Sequence, residues 1–142
     1  MSKQIDPRGP RFGAGITTVV VALALIALPS PLTVTLLAVQ LVAHALGAFV
    51  GLSAQPYGVI YRKAIQPRLA KPTELEDEAP PKFAQLVGFI FAAAALISYA
   101  SGQIGVAKIV VSLHLAASFL NVAFNFCLGC QMYLIGKRII NN

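Results

Sequence analysis

The sequence predicts an all-α integral membrane protein, a four-helix bundle with both termini in the cytoplasm, and three observations carry that expectation. The 142 residues are 57% hydrophobic and only 11% charged, with a mean hydropathy of +0.75. That is a membrane composition. Four apolar blocks, 12–28, 32–52, 83–100 and 106–135, approach or exceed the roughly 20 residues that cross a hydrocarbon core about 30 Å thick. With both termini inside, Lys3, Arg8, Arg11, Arg62, Lys63, Arg68, Lys71, Lys82, Lys137 and Arg138 all face the cytoplasm and Lys108 alone lies near the outer face. The expected product is a single membrane domain over residues 1–142, multi-pass, with a cytoplasmic interfacial loop at 53–82. The net charge of +6 then reflects topology. It does not point to nucleic acid, because the cations flank apolar runs and are not interleaved with aromatics.

Residues 1–11 carry Pro7, Gly9 and Pro10 among mixed charges and read as a flexible lead-in without a fold of its own. A basic lead before an apolar run also fits a cleavable signal peptide, with Ala22-Leu23-Ala24 as the small-residue site. Retention of the first span is the expectation, because Pro29-Ser30-Pro31 reads as a tight hairpin. Ser30 is placed to cap the second helix, and Pro31 at the first helical position forfeits no hydrogen bond.

Along the second helix Gln40, His44, Gly47 and Gly51 follow offsets of four, three and four, within about 60° of one another on one face. The Gly47-x-x-x-Gly51 pair reads as a close-packing surface. In the loop, Tyr57, Ile60, Tyr61, Ala64 and Ile65 are apolar at helical spacing, which suggests an interfacial amphipathic helix with its tyrosines at headgroup depth. A solvated basic loop is the alternative. Thr73 and Glu76 have capping-box spacing for a short acidic turn ended by Ala79-Pro80-Pro81. The acids there read mainly as compensation for the loop's own cations and lack the spacing of a calcium loop. The third span, with Gln85, Gly88 and Ser98 as minor polar interruptions, shows no obvious chemistry.

The fourth span repeats the rhythm of the second, with His114, Ser118, Asn121 and Asn125 at offsets of four, three and four. Spans two and four run in the same direction, so the stripes can face each other, with Gln40 near the level of His114 and His44 near Ser118 to within about one turn, or 5 Å. Intramembrane polar groups are costly and point inward. Two readings stand for Gln40, His44, His114, Asn121 and Asn125: hydrogen bonds that fix helix register, or a ligand or proton pathway. Two histidines on facing helices admit haem ligation, but their offset and the absence of other haem cues weigh against it, and no cofactor is expected.

Cys127 and Cys130 are the two cysteines. A Cys-x-x-Cys pair at a helix start favours a thiolate, whereas this one falls toward the end of a helix read as continuous to Ile135. Helical i,i+3 positions also hold their Cβ atoms about 5–6 Å apart, too far for a bridge without local unwinding. Only a break at Gly129, opening a new short helix, would reverse the polarity. The histidines lie too far around the helix to complete a metal site, so none is expected. The pair is left between buried structural thiols and thiol or sulfur-transfer chemistry as candidate catalytic residues.

Gln55-Pro56-Tyr57-Gly58, Gln66-Pro67-Arg68-Leu69, Pro72 to Pro81 and Phe126-Cys127-Leu128-Gly129-Cys130 together resemble a family of small bacterial four-span membrane proteins of unknown function. The likeness runs over most of the chain. Members of that family are often found alongside thioredoxin-like or rhodanese-type proteins, so the resemblance implies thiol or sulfane-sulfur handling with a separate cytoplasmic partner. The alternative is a non-catalytic accessory subunit that organises a larger membrane complex or homo-oligomer.

Overall fold

The structure is a computed structural model, and it describes residues 3–142. Four helices are long and apolar enough to cross a membrane: α1 (Arg8–Ala27), α2 (Leu32–Ala45, continued by a π-helical turn over Leu46–Val50), α4 (Ala79–Ala100) and α5 (Ile104–Phe124). Two short helices, α3 (Pro56–Ile60) and α6 (Leu128–Ile140), a π-helical turn at Tyr61–Ile65, 3-10 turns at Leu52–Ala54 and Gln66–Arg68, and a two-residue bridge of β1 (Gln4–Ile5) with β2 (Glu76–Asp77) complete the described elements.

The spans form a ring in which α1 packs on α2 and α5, and α4 packs on the same two helices, so α2 and α5 stand diagonally. Only 17–33% of each span's most apolar stretch is buried, and Ile26, Ile90, Ile97, Ile109 and Leu113 each expose more than half of their surface. Such a surface suits a hydrocarbon solvent, in which the backbone must bond internally and helices satisfy it. Burial falls instead on small and mid-sized residues. Ala24, Ala92, Ala95 and Ala107 are buried where helices meet, and Val21, Leu37 and Val111 fill the space between them. Close approach through small residues is how membrane helices gain dispersion contact.

The short hairpins, closed by Ser30 N–H to the Ala27 carbonyl and by Gln103 N–H to the Ser98 carbonyl, put the N-terminus, the α2–α4 connection and α6 at the same end of the bundle. Lys108, in the second turn of α5, lies toward the opposite end.

Several segments differ from the sequence expectation. The lead-in is folded. β1 pairs antiparallel with β2, Gln4 opposite Asp77 and Ile5 opposite Glu76. Asp6 accepts from Arg8, Tyr61 Oη at 2.8 Å and Gln66 Nε2 at 3.1 Å. The guanidinium of Arg8 holds the Asp6 carboxyl down to about 2. No helix starts at Thr73, because the chain runs extended into β2 at Glu76. The prolines after Ala79 begin α4 rather than end a turn, since a first helical turn needs no N–H donor at those positions. Asp77 Oδ1 accepts the Ala79 N–H at 2.8 Å. The loop tyrosines turn inward, Tyr57 at 7% and Tyr61 at 2% exposure, because their hydroxyls find partners inside the bundle. Burial raises both phenols above their usual range.

Candidate functional site

The polar stripes converge at the centre of the ring. His44 from α2 and His114 from α5 meet across the diagonal, with Nε2 to Nε2 at 3.3 Å and ring centroids 5.2 Å apart. The offset expected from counting rise is therefore one turn out: the histidines are level with each other. His44 Nδ1 lies 2.8 Å from Gln85 Oε1, so that nitrogen carries the proton and donates. His44 Nε2 then carries the ring's one free lone pair, which faces both Gln40 Nε2 at 3.1 Å and His114 Nε2 at 3.3 Å. Gln40 Nε2 also reaches Thr17 Oγ1 at 3.2 Å, and Gln40 Oε1 accepts the Tyr57 hydroxyl. Phe91 stacks on His114 at 5.6 Å.

This network draws on α1, α2, α3, α4 and α5. Among the described residues, no buried side-chain polar atom lacks a partner. Full satisfaction is what makes such a cluster tolerable where water is absent. The glycines near it make room for side chains. A Cβ on Gly88 would lie 2.5 Å from His44 Cε1, and one on Gly47 would lie 2.8 Å from Gln85 Cγ. Gly47 therefore admits two glutamines where the end of α2 packs on α4, while Gly51, at φ 139°, ends the α2 helix.

Beyond His114, the expected single helix to Ile135 is broken. Asn125 adopts the left-handed conformation, φ 53° and ψ 33°, as the C-cap of α5, a role asparagine tolerates better than most residues. Asn125 is thus exposed and outside the polar network, whereas Asn121 stays half-buried beside it. The chain restarts with Cys127 as N-cap of α6, at φ −85° and ψ 104°. The break falls at Asn125, four residues before Gly129. Gly129 instead lets α6 dock on α4, since a Cβ there would lie 2.6 Å from Ala84 Cα.

The break overturns both geometric objections to the cysteines. Cys127 has extended rather than helical backbone, which turns its side chain toward Cys130, and the two form a disulfide. The pair now sits at a positive helix end rather than a negative one. Cys127 Sγ accepts the Cys130 N–H at 3.2 Å, and the first turn of α6 carries no acidic residue.

A cavity of about 430 Å³ joins the two features: its wall includes His44, Gln85, His114, Ser118, Asn121 and Cys127. Among the described residues no three His, Cys, Asp or Glu side chains converge as a metal site would require.

The sequence profile of the domain of unknown function DUF4395 matches residues 5–138. The chain belongs to the DUF4395 family. No curated protein matches it, and neither does any solved structure. What this DUF4395 domain does must therefore be read from its side chains. Among these, Gln85 and Gly88, which read as minor interruptions of an apolar span, Tyr57, expected at headgroup depth, and Thr17, for which the sequence carries no signal, belong to the site. A polar residue and a glycine three apart in an otherwise apolar span, Gln85 and Gly88, were the available signal.

Proposed function

We propose that this DUF4395 protein is a membrane thiol–disulfide relay in which Cys127 and Cys130 exchange electrons with a thioredoxin-like or rhodanese-type partner. The observation that carries the reading is the bridge between the N-cap and the third residue of a helix, where the amides favour one sulfur as leaving group. The cationic end of the bundle holds this bridge, and the positive-inside rule assigns that end, with both termini, to the cytoplasm of a bacterium.

In the exchange, a partner thiolate attacks Cys130 Sγ and the Cys127–Cys130 bond breaks. Cys127 leaves as the thiolate, held by the first amides of α6. When the partner is a thioredoxin-like dithiol, its second thiol then attacks the mixed disulfide, so that the partner departs oxidised and the chain carries two thiols; a partner with one active-site cysteine stops at the mixed disulfide until a second thiol resolves it. Cys130 is the contact sulfur because Cys127 is the one that lines the interior cavity. A non-catalytic accessory subunit is the second reading. The fully bonded network across five helices favours it as a device that holds helix register.

Alkylation of native membranes, followed by non-reducing electrophoresis and mass spectrometry, tests the relay. Cys127→Ser, lacking the resolving sulfur, is expected to retain a mixed disulfide through Cys130 to a protein with a thioredoxin or rhodanese active-site cysteine. Cys130→Ser is expected to retain far less. Absence of any mixed disulfide in both variants, at normal expression, would leave the subunit reading in force.

A further inference from the structure

We infer that the interior cavity binds the ring of a lipid-soluble quinone, which takes the two electrons that the cysteine pair receives. This deepens the relay reading and rests on it. A dithiol inside a membrane protein needs a two-electron acceptor that can reach it, and four features of this cavity fit a quinone. Its volume, about 430 Å³, falls within the roughly 300–1,000 Å³ of small-molecule sites. Its wall holds Cys127. Phe91, stacked against His114, offers an aromatic face, while the Asn121 amide supplies a polar contact for a ring oxygen. Three wall residues, Ile90, Leu128 and Met132, expose 57%, 38% and 47% of their surface, so the cavity meets the apolar outer surface of the bundle. In a bilayer that surface is lipid, and a ligand arriving there comes from the hydrocarbon.

The chemistry balances within the named groups. The Cys127 thiolate adds to a ring carbon, and the displaced electron pair passes to a ring oxygen, which takes one proton. Cys130 Sγ then attacks Cys127 Sγ; the new S–S bond forms as the carbon–sulfur bond breaks, and its electron pair stays on the ring. The second ring oxygen takes the second proton. One dithiol and one quinone become one disulfide and one hydroquinone, with both protons originating on the two thiols. The histidine pair is positioned to hold and pass a proton, since His44 and His114 already share one hydrogen between their facing nitrogens.

The test uses the full chain in lipid nanodiscs, first reduced and freed of reductant, then mixed with a short-chain benzoquinone or naphthoquinone. Quinone absorbance and free thiols are followed together. The expected result is one quinone consumed per two thiols lost, with a tenfold or greater slowing in Ala117→Phe, which fills the cavity, and in His114→Gln, which keeps a smaller polar side chain. A second readout needs no electron transfer: the same quinone should raise the melting temperature of the Cys127→Ser/Cys130→Ser protein, and Ala117→Phe should abolish the rise. Reoxidation at equal rates in wild type and both cavity variants, or no thermal shift, would overturn the quinone site. Exchange with dithiothreitol is measured in parallel. If that exchange is intact while quinone is untouched, the quinone inference fails alone; if the bridge is inert to dithiothreitol as well, the relay reading fails with it.

Discussion

Replacement of Gly88 by alanine tests the packing of the polar centre most sharply. The new methyl would stand 2.5 Å from His44 Cε1, 2.6 Å from Nε2 and 2.7 Å from Nδ1, against ordinary contact at 3.4–4 Å. The ring must therefore retreat by about 0.9 Å. That movement is limited, because Nδ1 is bonded to Gln85 and Nε2 faces both Gln40 and His114. Overpacking of this kind costs about 1–3 kcal/mol, and a buried bond left unmade costs about 1–3 kcal/mol more. Alanine's better helix propensity returns about 0.5–1 kcal/mol. The expected net loss is about 1–5 kcal/mol. Denaturant titration in mixed micelles, followed by circular dichroism, measures it, with Gly105→Ala as control because nothing lies within 4 Å of a Cβ there. His44→Ala should relieve the clash, so the double variant should be more stable than the sum of its parts requires. A Gly88→Ala protein as stable as Gly105→Ala would refute the contact between His44 and α4.

Two further outcomes follow from the end of the bundle that holds the bridge. Gly129→Ala drives a methyl to 2.6 Å from the Ala84 backbone, which cannot retreat as a side chain can; α6 should lift from α4, and the rate at which reductant opens the disulfide, read by thiol labelling, should rise at least severalfold. Asp6 has 6% side-chain exposure and its carboxyl is lowered from 3.8 to about 2, chiefly by its hydrogen bond from Arg8. A lowered acid stabilises the fold above its unfolded value and loses that contribution as pH falls, so the N-terminal segment should be held above pH about 4 and released progressively toward pH 2. The contribution, after solvent screening, is roughly 1–2 kcal/mol. Amide exchange at Gln4 and Ile5, corrected for intrinsic rates, should show this pH dependence in wild type and lose it in Asp6→Asn; an unchanged profile would contradict the role of Asp6.

The four spans were legible because lipid demands long apolar runs, and a 3.6-residue period made the stripes through His44 and His114 legible as well. Two kinds of feature were not. Tertiary partners such as Gln85 and Tyr57 announce themselves only when their helices are placed, since a lone glutamine in an apolar span looks like an interruption. The break after Phe124 lay hidden because Asn125-Phe126-Cys127 contains neither proline nor glycine, and a left-handed asparagine leaves no compositional trace in an apolar stretch. That one dihedral moved the cysteines from the negative end of a helix to the positive end of another. The same shortfall affected the lead-in and the Thr73 turn, where a two-residue β bridge replaced local structure that capping rules favoured.

The redox state of Cys127 and Cys130 in native membranes is the most direct measurement of the relay. Cells are quenched in acid, and thiols are tagged before and after reduction with a mass-shifting maleimide. The expected result is a bridge that opens when the cytoplasmic thiol pool is made more reducing and closes again on return, with both cysteines changing together. A single state that persists unchanged through both reductant and oxidant treatment would contradict it.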